Sequence, residues 1–309
     1  MSVERLARSD DETAMALFRL LKVPRLGTAR ARAVLEFAKS TRTPLLDLVA
    51  HPENAQGVLT SPQIEDLRAG AQQADDEWMR LNEAGVTPLS ITDARYPSSL
   101  RLALGKESPP LLFVRGNIEI LSKPSLGFCG SRKATDKGLA VAQECASVAI
   151  QHGVNVVSGY AAGVDTTTHQ AALAAEGTTT IVLPEGVLRF RVRRVLKEIW
   201  DWERAVVVSE FGPNAPWSVQ NAMRRNTTIC GLCSAVVLIE ARDTGGSIEA
   251  GRTCLKLGVP LFAPVYEGIP DSASGNRTLL AEGARCLFKS KTRNTANLDP
   301  VMAVFRSQT

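Results

Sequence analysis

The sequence lacks the features of a membrane or secreted protein. None of its 309 residues belongs to an apolar run of the roughly 18 residues that a membrane-spanning helix needs. The stretch from Met1 to Met15 has no apolar segment typical of a secretory signal. The six cysteines should therefore remain reduced thiols. These absences predict a cytoplasmic protein that has no membrane partner.

Residues that bind metals are also few. The three histidines (His51, His152, His169) are scattered, and Cys230 and Cys233 form a single CxxC pair. Zinc needs about four ligands, and no second pair or nearby histidine completes such a set. We therefore expect both cysteines to be small core residues one helical turn apart, and we predict no metal and no cofactor.

Three catalytic signatures are missing as well. The sequence has no GxGxxG fingerprint, no Walker GxxxxGK[ST] loop and no GxSxG elbow. We assign no catalytic residue. What the sequence does have is an uneven charge: residues 1–120 carry a net −1 and residues 121–309 a net +5. A polyanionic partner should favour the second half.

The first half predicts a small helical domain over residues 1–84. Residues 13–39 favour two short helices around a turn with Pro24 and Gly27, and residues 60–84 favour further helix. The pattern is similar to the helix-hairpin-helix and sterile-alpha-motif (SAM) class, in which Arg25, Arg30 and Arg32 could meet a DNA phosphate. The alternative is a packing domain with solvated arginines. Residues 85–124, rich in proline, are predicted to be a fixed connector.

From residue 125 to 290, short apolar strands alternate with helical segments. This order predicts an α/β fold, a Rossmann-like doubly wound core with a mainly parallel sheet, followed by a tail over 291–309. The predicted strands begin at Leu126, Asn155, Thr180, Ala205, Ala235 and Pro260.

The loops after three of these strands have the composition of phosphate-binding loops. They begin at Gly130, Ser158 and Glu240, and they combine glycine with hydroxyl or guanidinium groups. Glycine lets backbone amides approach an anion, and a following helix adds its positive end. Ligands of such sheets bind at the carboxyl ends of the strands. We therefore predict a phosphate-binding edge.

At these loops the sequence resembles the DNA-processing protein A (DprA/Smf) family over residues 13–288. The motifs are Gly130-Ser131-Arg132, Ser158-Gly159 with Gly163, Asp165 and His169, then Arg225-Asn226 and Gly246-Ser247. The resemblance implies a protein that binds and protects single-stranded DNA and is not an enzyme. It also implies a homodimer that helps to load a RecA-type recombinase during natural transformation (competence) or DNA recombination. Because the sequence ends at Thr309, we expect a short form without a C-terminal winged helix.

The resemblance also implies the site residues. The predicted DNA- or phosphate-binding residues are Gly130, Ser131, Arg132, Lys133, Ser158, Gly159, Gly163, Arg224, Arg225, Asn226, Gly246 and Ser247, with Asp165 and His169 in a supporting role.

The sequence departs from the family where a base would stack. Ala222 replaces the usual aromatic, and Thr227 replaces an arginine. Residues 188–197 place four arginines around Phe190, and Trp217 lies close upstream of Ala222. We predict that Phe190 and Trp217 supply the missing stacking. The alternative for Phe190 is packing against the sheet, with the arginines solvated.

Two other functions remain open. One is a nucleotide-binding or nucleotide-cleaving Rossmann-like protein (phosphoribohydrolase-like or a sensor), for which Gly245 to Glu249 would supply a glycine loop and a carboxylate for acid–base chemistry. The other is a scaffolding relative whose pocket has decayed.

Overall fold

The chain folds around one large sheet. The computed structural model describes residues 3–266, 271–290 and 296–306, with side chains from residue 10 onward. Within these residues the sheet has nine strands: β1 (Val86–Ser90), β2 (Leu111–Gly116), β3 (Ser125–Cys129), β4 (Asn155–Ser158), β5 (Thr179–Val182), β6 (Ala205–Ser209), β7 (Ala235–Leu238), β8 (Leu261–Pro264) and β9 (Arg285–Leu287).

Helices surround this sheet on both sides. They are α1 (Val3–Lys22), α2 (Thr28–Thr41), α3 (Leu45–Ala50), α4 (Ser61–Ala69), α5 (Ala71–Glu83), α6 (Ser98–Leu104), α7 (Asp136–Gln151), α8 (Val164–Ala174), α9 (Val219–Leu232), α10 (Gly246–Lys256), α11 (Ser274–Ala281) and α12 (Asp299–Arg306). None of these described helices is both long and apolar enough to cross a membrane.

The strand order is β1-β2-β6-β5-β4-β3-β7-β8-β9. In this spatial order, all neighbouring strands from β6 through β3 to β9 pair in parallel. The chain runs outward from β3 to β6 and returns at β7 beside β3. The order of strands therefore reverses at β3, which is the switch point where α/β sheets bind ligands. The predicted doubly wound, mainly parallel core is confirmed, and so is a helical N-terminal region.

Alternate side chains of β3, β4 and β7 enter two separate cores on opposite faces of the sheet. Phe128 and Val156 pack with α7, α8 and α12, whereas Val157 and Leu238 pack on the opposite face with α6, α9 and α10. A strand buried on both faces reads as a continuous apolar run, which is why these strands were visible in the sequence. Cys230 and Cys233 are buried in the second of these cores, as predicted.

The segment predicted as a connector also contributes two strands to the sheet. Its strands β1 and β2 form an antiparallel ribbon, and β2 pairs antiparallel with β6. The N-terminal helices pack on this ribbon, with Leu17 and Leu20 in the same core as α9. Part of the predicted tail lies outside the described residues, but α12 buries Val301 and Met302 beside α7.

Candidate nucleic-acid interface

A cleft of about 370 Å³ opens at the carboxyl ends of β3 and β7, at the switch point. We call it the first cleft. Its lining combines backbone-rich loops with cationic side chains: Cys129, Gly130, Ser131, Arg132, Lys133, Ala161, Asp165, Ala222, Met223, Arg225, Asn226, Ile229, Arg242, Thr244, Gly246, Ser247 and Ala250. Of the twelve predicted binding residues, it brings eight together. Sequence reasoning missed Arg242 and Thr244, although both lie in a loop that it identified.

The loop after β3 presents two cations. A Cβ at Gly130 would lie 2.5 Å from Cγ2 of Val164, so the loop passes close against α8. The hydroxyl of Ser131 accepts the backbone N–H of Lys133 at 3.0 Å and holds the turn. Arg132 and Lys133 are exposed, and neither side chain has a partner within the described part of the chain. Both are therefore available to an anion.

The loop after β4 shapes the cleft from behind. Ser158 is fully buried and its hydroxyl donates to the carbonyl of Phe128 at 2.8 Å, so it cannot reach a ligand. Gly163 has a φ of +76° and lies against the backbone of Ser131. A Cβ at Gly159 would fall 1.5 Å from Nη1 of Arg225. Contrary to the prediction, these three residues do not line the first cleft. They position the groups that do.

Arg225 occupies the space that Gly159 leaves. Its side chain is only 9% exposed, and its Nη1 lies 3.9 Å from Oδ2 of Asp165 and donates to the carbonyl of Val182 at 3.3 Å. Within the part of the chain that the structure describes, its buried Nε has no hydrogen-bond partner. A buried guanidinium with one distant carboxylate and a free donor retains a large attraction for an anion.

Asp165 and His169 hold the loop after β4 in place. Oδ2 of Asp165 accepts the backbone N–H of Ala161 at 3.1 Å. His169 is fully buried, and burial lowers its pKa to about 4, so the ring is neutral. Because the carbonyl of Gly159 only accepts, Nε2 of His169 donates to it (2.5 Å), and Nδ1 faces the hydroxyl of Thr179 at 2.7 Å. Both side chains therefore hold the loop after β4, and their supporting role in DNA binding stays a prediction.

Helix α9 carries three consecutive predicted residues, Arg224, Arg225 and Asn226, and only the last two line the first cleft. Asn226 lines the first cleft, and its Nδ2 donates to the carbonyl of Gly246 at 3.3 Å. Arg224 does not line it. Instead, its Nε donates to Oε2 of Glu210 at 2.5 Å. Successive residues on a helix point in directions about 100° apart, so Arg224 and Arg225 project toward different sides of α9.

The start of α10 closes the opposite wall. The hydroxyl of Ser247 donates to the carbonyl of Gly130 at 2.9 Å and ties the helix to the loop after β3. The first-turn amides of α10, with their partial positive charge, belong to this wall. Glu249 does not line the cleft, and its Oε1 bonds Nη1 of Arg252 at 2.9 Å. The nucleotide-cleaving alternative therefore loses the carboxylate on which it depended.

Sequence reasoning also missed a buried carboxylate beneath the cleft. Glu240 follows β7, is fully buried, and accepts the backbone N–H (3.0 Å) and hydroxyl (2.6 Å) of Thr135. These bonds fix the start of α7 to the end of the sheet. The available signal was a charged residue directly after an apolar strand, because such a residue needs a buried partner. Among the described residues, no group of three or more His, Cys, Asp or Glu side chains could hold a metal ion.

A second cleft, of about 450 Å³, adjoins the first and shares Arg132, Ala161 and Arg225 with it. Its other lining residues come mostly from the irregular chain after β5: Tyr160, Ala162, Leu183, Pro184, Glu185, Arg189, Phe190, Arg191, Arg193 and Trp217. Trp217 is 48% exposed.

Phe190 belongs to the core, contrary to the stacking prediction. It is 3% exposed, and its ring centroid lies 5.1 Å from that of Tyr160, 5.5 Å from Trp200 and 6.1 Å from Trp202. The packing alternative for Phe190 therefore holds, because no ring face is left for a base. The aromatic cluster forms the rigid back of the second cleft.

Taken together, the fold and the site define an α/β protein with an anion-binding cleft at the switch point of a parallel sheet. The family model of DNA recombination-mediator protein A matches residues 87–297. The chain therefore belongs to this family.

Individual relatives agree with this assignment. The chain is 29% identical over 259 residues to DNA processing protein DprA of Streptococcus pneumoniae, covering 79% of this chain and 89% of that protein. It is 32% identical over 192 residues to protein Smf of Escherichia coli, covering 61% and 50% respectively.

Solved structures show the same architecture. The X-ray structure of DNA processing protein A from Streptococcus pneumoniae superposes with a TM-score of 0.73 at 26% identity, over 89% of this chain and 94% of that one. DNA processing protein A from Helicobacter pylori superposes with a TM-score of 0.59 at 21% identity, over 72% and 96%. At 21% identity, the similarity to the Helicobacter pylori protein shows a shared fold.

Proposed function

We propose that this protein binds single-stranded DNA, with backbone phosphates held in the first cleft between Arg132 and Arg225. The observation that supports this most directly is Arg225, which lines the cleft and whose buried Nε has no hydrogen-bond partner among the described residues. Exposed Arg132 and Lys133 supply further charge at the mouth. Contacts of guanidinium groups and amides with backbone phosphates carry no sequence information, so sequence preference should be weak.

Family membership extends this proposal to partners. DNA processing protein A from Helicobacter pylori has a single-stranded DNA binding mode, which is the ligand we propose here. We further propose that the protein acts in recombination or transformation as a homodimer that protects single strands and assists a RecA-type recombinase. Its contribution is binding, and no chemical step on the DNA is part of the proposal.

A binding titration tests the function. We expect higher affinity for a single strand than for the duplex, and a steep loss with salt because each neutralised phosphate releases counterions. Arg132→Ala should weaken binding at every sequence and make the slope of log K against log salt shallower by about 0.7, the value for one phosphate of a single strand. Arg132→Lys should recover only part of the affinity, since an ammonium cannot form the bidentate contact.

Arg25→Ala is the matched control. Arg25 is also exposed, but it lies in the turn between α1 and α2. Binding that survives Arg132→Ala and disappears in Arg25→Ala would move the DNA site to the N-terminal helices. Salt-independent binding, or equal affinity for duplex, would refute the proposal.

A further inference from the structure

The second cleft adjoins the one in which we place the phosphates, and its lining includes an exposed aromatic residue, Trp217. We propose that the second cleft is a base-binding subsite, in which Trp217 stacks on an unstacked base of the strand whose phosphate lies in the first cleft. This inference rests on the proposed function and assigns it a second, chemically different contact. It also assigns to Trp217 the stacking contact that Ala222 cannot make.

The first support is the exposure of Trp217. Its side chain is 48% exposed, and no ring contact or hydrogen bond holds it within the described residues. The rings of Trp200 and Trp202, by contrast, pack at 5.1 Å from each other and are partly buried. An indole that exposes about half of its surface next to a basic cleft offers a π-face to any base.

The second support is that the backbone before Trp217 is held rigidly. Gly186 N–H donates to the carbonyl of Ala215 at 2.9 Å, and Leu188 N–H to that of Pro213 at 3.1 Å. Nε of Arg189 donates to the carbonyl of Asn214 at 2.8 Å. A ring placed by a fixed segment loses little entropy when a base stacks on it.

The close contact between these segments also depends on a glycine. A Cβ at Gly186 would lie 2.1 Å from the carbonyl oxygen of Pro213. The 183–191 segment therefore approaches the 212–217 segment more closely than any side chain would allow. The second cleft exists because these two irregular segments meet.

The third support is the connection between the clefts. Arg132 and Arg225 line both of them, so a phosphate bound between these residues lies at their common boundary. The base of an adjoining nucleotide can then enter the second cleft. Guanidinium groups of Arg189 and Arg191, both exposed, lie along the same wall and favour the polyanion.

Two DNA probes separate a base contact from a phosphate contact. One is a thymidine oligonucleotide, and the other is an abasic oligomer of the same length, which has the phosphates without the bases. We expect the wild-type protein to prefer the thymidine oligonucleotide. Trp217→Ala should bind that oligonucleotide about tenfold more weakly, bind the abasic oligomer as the wild type does, and keep the salt slope. Trp217→Phe should recover part of the preference.

The control is Leu102→Ala, which truncates an 85% exposed apolar side chain on α6. Leu102→Ala should change neither affinity, and neither variant should alter the melting temperature. If Trp217→Ala binds both probes as the wild type does, or weakens both equally, the subsite does not exist. If the wild-type protein binds neither probe, the proposed function fails and the subsite with it. If wild type binds both probes equally, only the subsite is refuted.

Discussion

The two clefts share three residues, yet different chain segments and different types of side chain form them. The first is formed by loops that leave the ends of regular strands, and its walls are backbone, hydroxyl and guanidinium groups. The second is formed by irregular chain beside the sheet, and its walls are aromatic rings and arginines. From this difference we expect charge neutralisation and base contact to be separable in this protein, so that a substitution can weaken one and leave the other.

The largest expected effect concerns the back wall of the second cleft. Phe190→Ala should lower the free energy of unfolding by about 3–5 kcal/mol, the usual cost of truncating a buried phenylalanine. Chemical denaturation measures this loss. Below the unfolding transition, DNA affinity should be unchanged, because the ring has no face exposed to a base.

Val195→Ala is its control, since Val195 is 55% exposed in the same segment. A Phe190→Ala protein of normal stability that binds DNA poorly would show that the ring contacts the ligand, and the contrast between core and cleft would break down.

A second effect concerns the wall that both clefts share. His169 has its pKa lowered from 6.5 to about 4 by burial. Between these values the unfolded state binds the proton and the folded state does not, so stability falls as the pH falls from about 6.5 to 4. The total is on the order of 3 kcal/mol. Denaturation of the wild type and of His169→Asn across this range isolates the contribution.

The variant should show a shallower dependence on pH than the wild type. Since His169 supports Gly159 and thereby Arg225, acidification should weaken both clefts together. Parallel pH profiles for wild type and variant would contradict this account of the shared wall.

A third effect distinguishes the contributions of two neighbouring arginines, Arg225 and Arg224, to DNA affinity. Arg225→Met should weaken single-stranded DNA binding by about 10- to 100-fold, because the buried charge-assisted donors are lost. It should also destabilise the fold, since Asp165 is left without its cation. Arg224→Met, on the same helix but paired with Glu210, should change affinity by less than about threefold. Fluorescence anisotropy with labelled DNA gives both values, and equal losses would mean that net charge alone decides.

The smallest effect is a gain in affinity. Glu185 lines the second cleft, and among the described residues no lysine or arginine pairs with its carboxylate. Glu185→Gln should raise DNA affinity about two- to threefold at low salt, with the gain fading as salt is added. Glu65→Gln, an exposed position on α4, should have no effect. A gain of equal size at Glu65 would show that Glu185 does not face the strand.

Sequence reasoning was strongest where chemistry follows a regular strand. Gly130 to Lys133 and Gly246-Ser247 could be placed in one cleft because the carboxyl ends of parallel strands meet at one edge. The same reasoning put Ser158 and Gly159 at the surface of the cleft, whereas they lie behind it. A strand pattern predicts which loop approaches the ligand, but not which of its atoms already have partners.

The second cleft was largely beyond prediction. Residues 183–193 have no helical or strand periodicity, and their position depends on backbone hydrogen bonds to residues 213–215. Such long-range pairing of irregular segments leaves no pattern in the sequence. Phe190 shows the result: its arginine neighbours suggested a nucleic-acid contact, while Tyr160, Trp200 and Trp202 enclose it.

The β1–β2 ribbon has a practical consequence for anyone who shortens this protein. Strand β2 covers the outer edge of β6, and β1 in turn covers β2. A polypeptide that began at residue 125 would expose the unpaired backbone edge of β6 to other molecules. This strand contains the apolar residues Val206, Val207 and Val208. Exposed apolar edge strands pair with one another and aggregate. The N-terminal part therefore also protects the edge of the sheet. We expect truncation between β2 and β3 to give a smaller protein that aggregates.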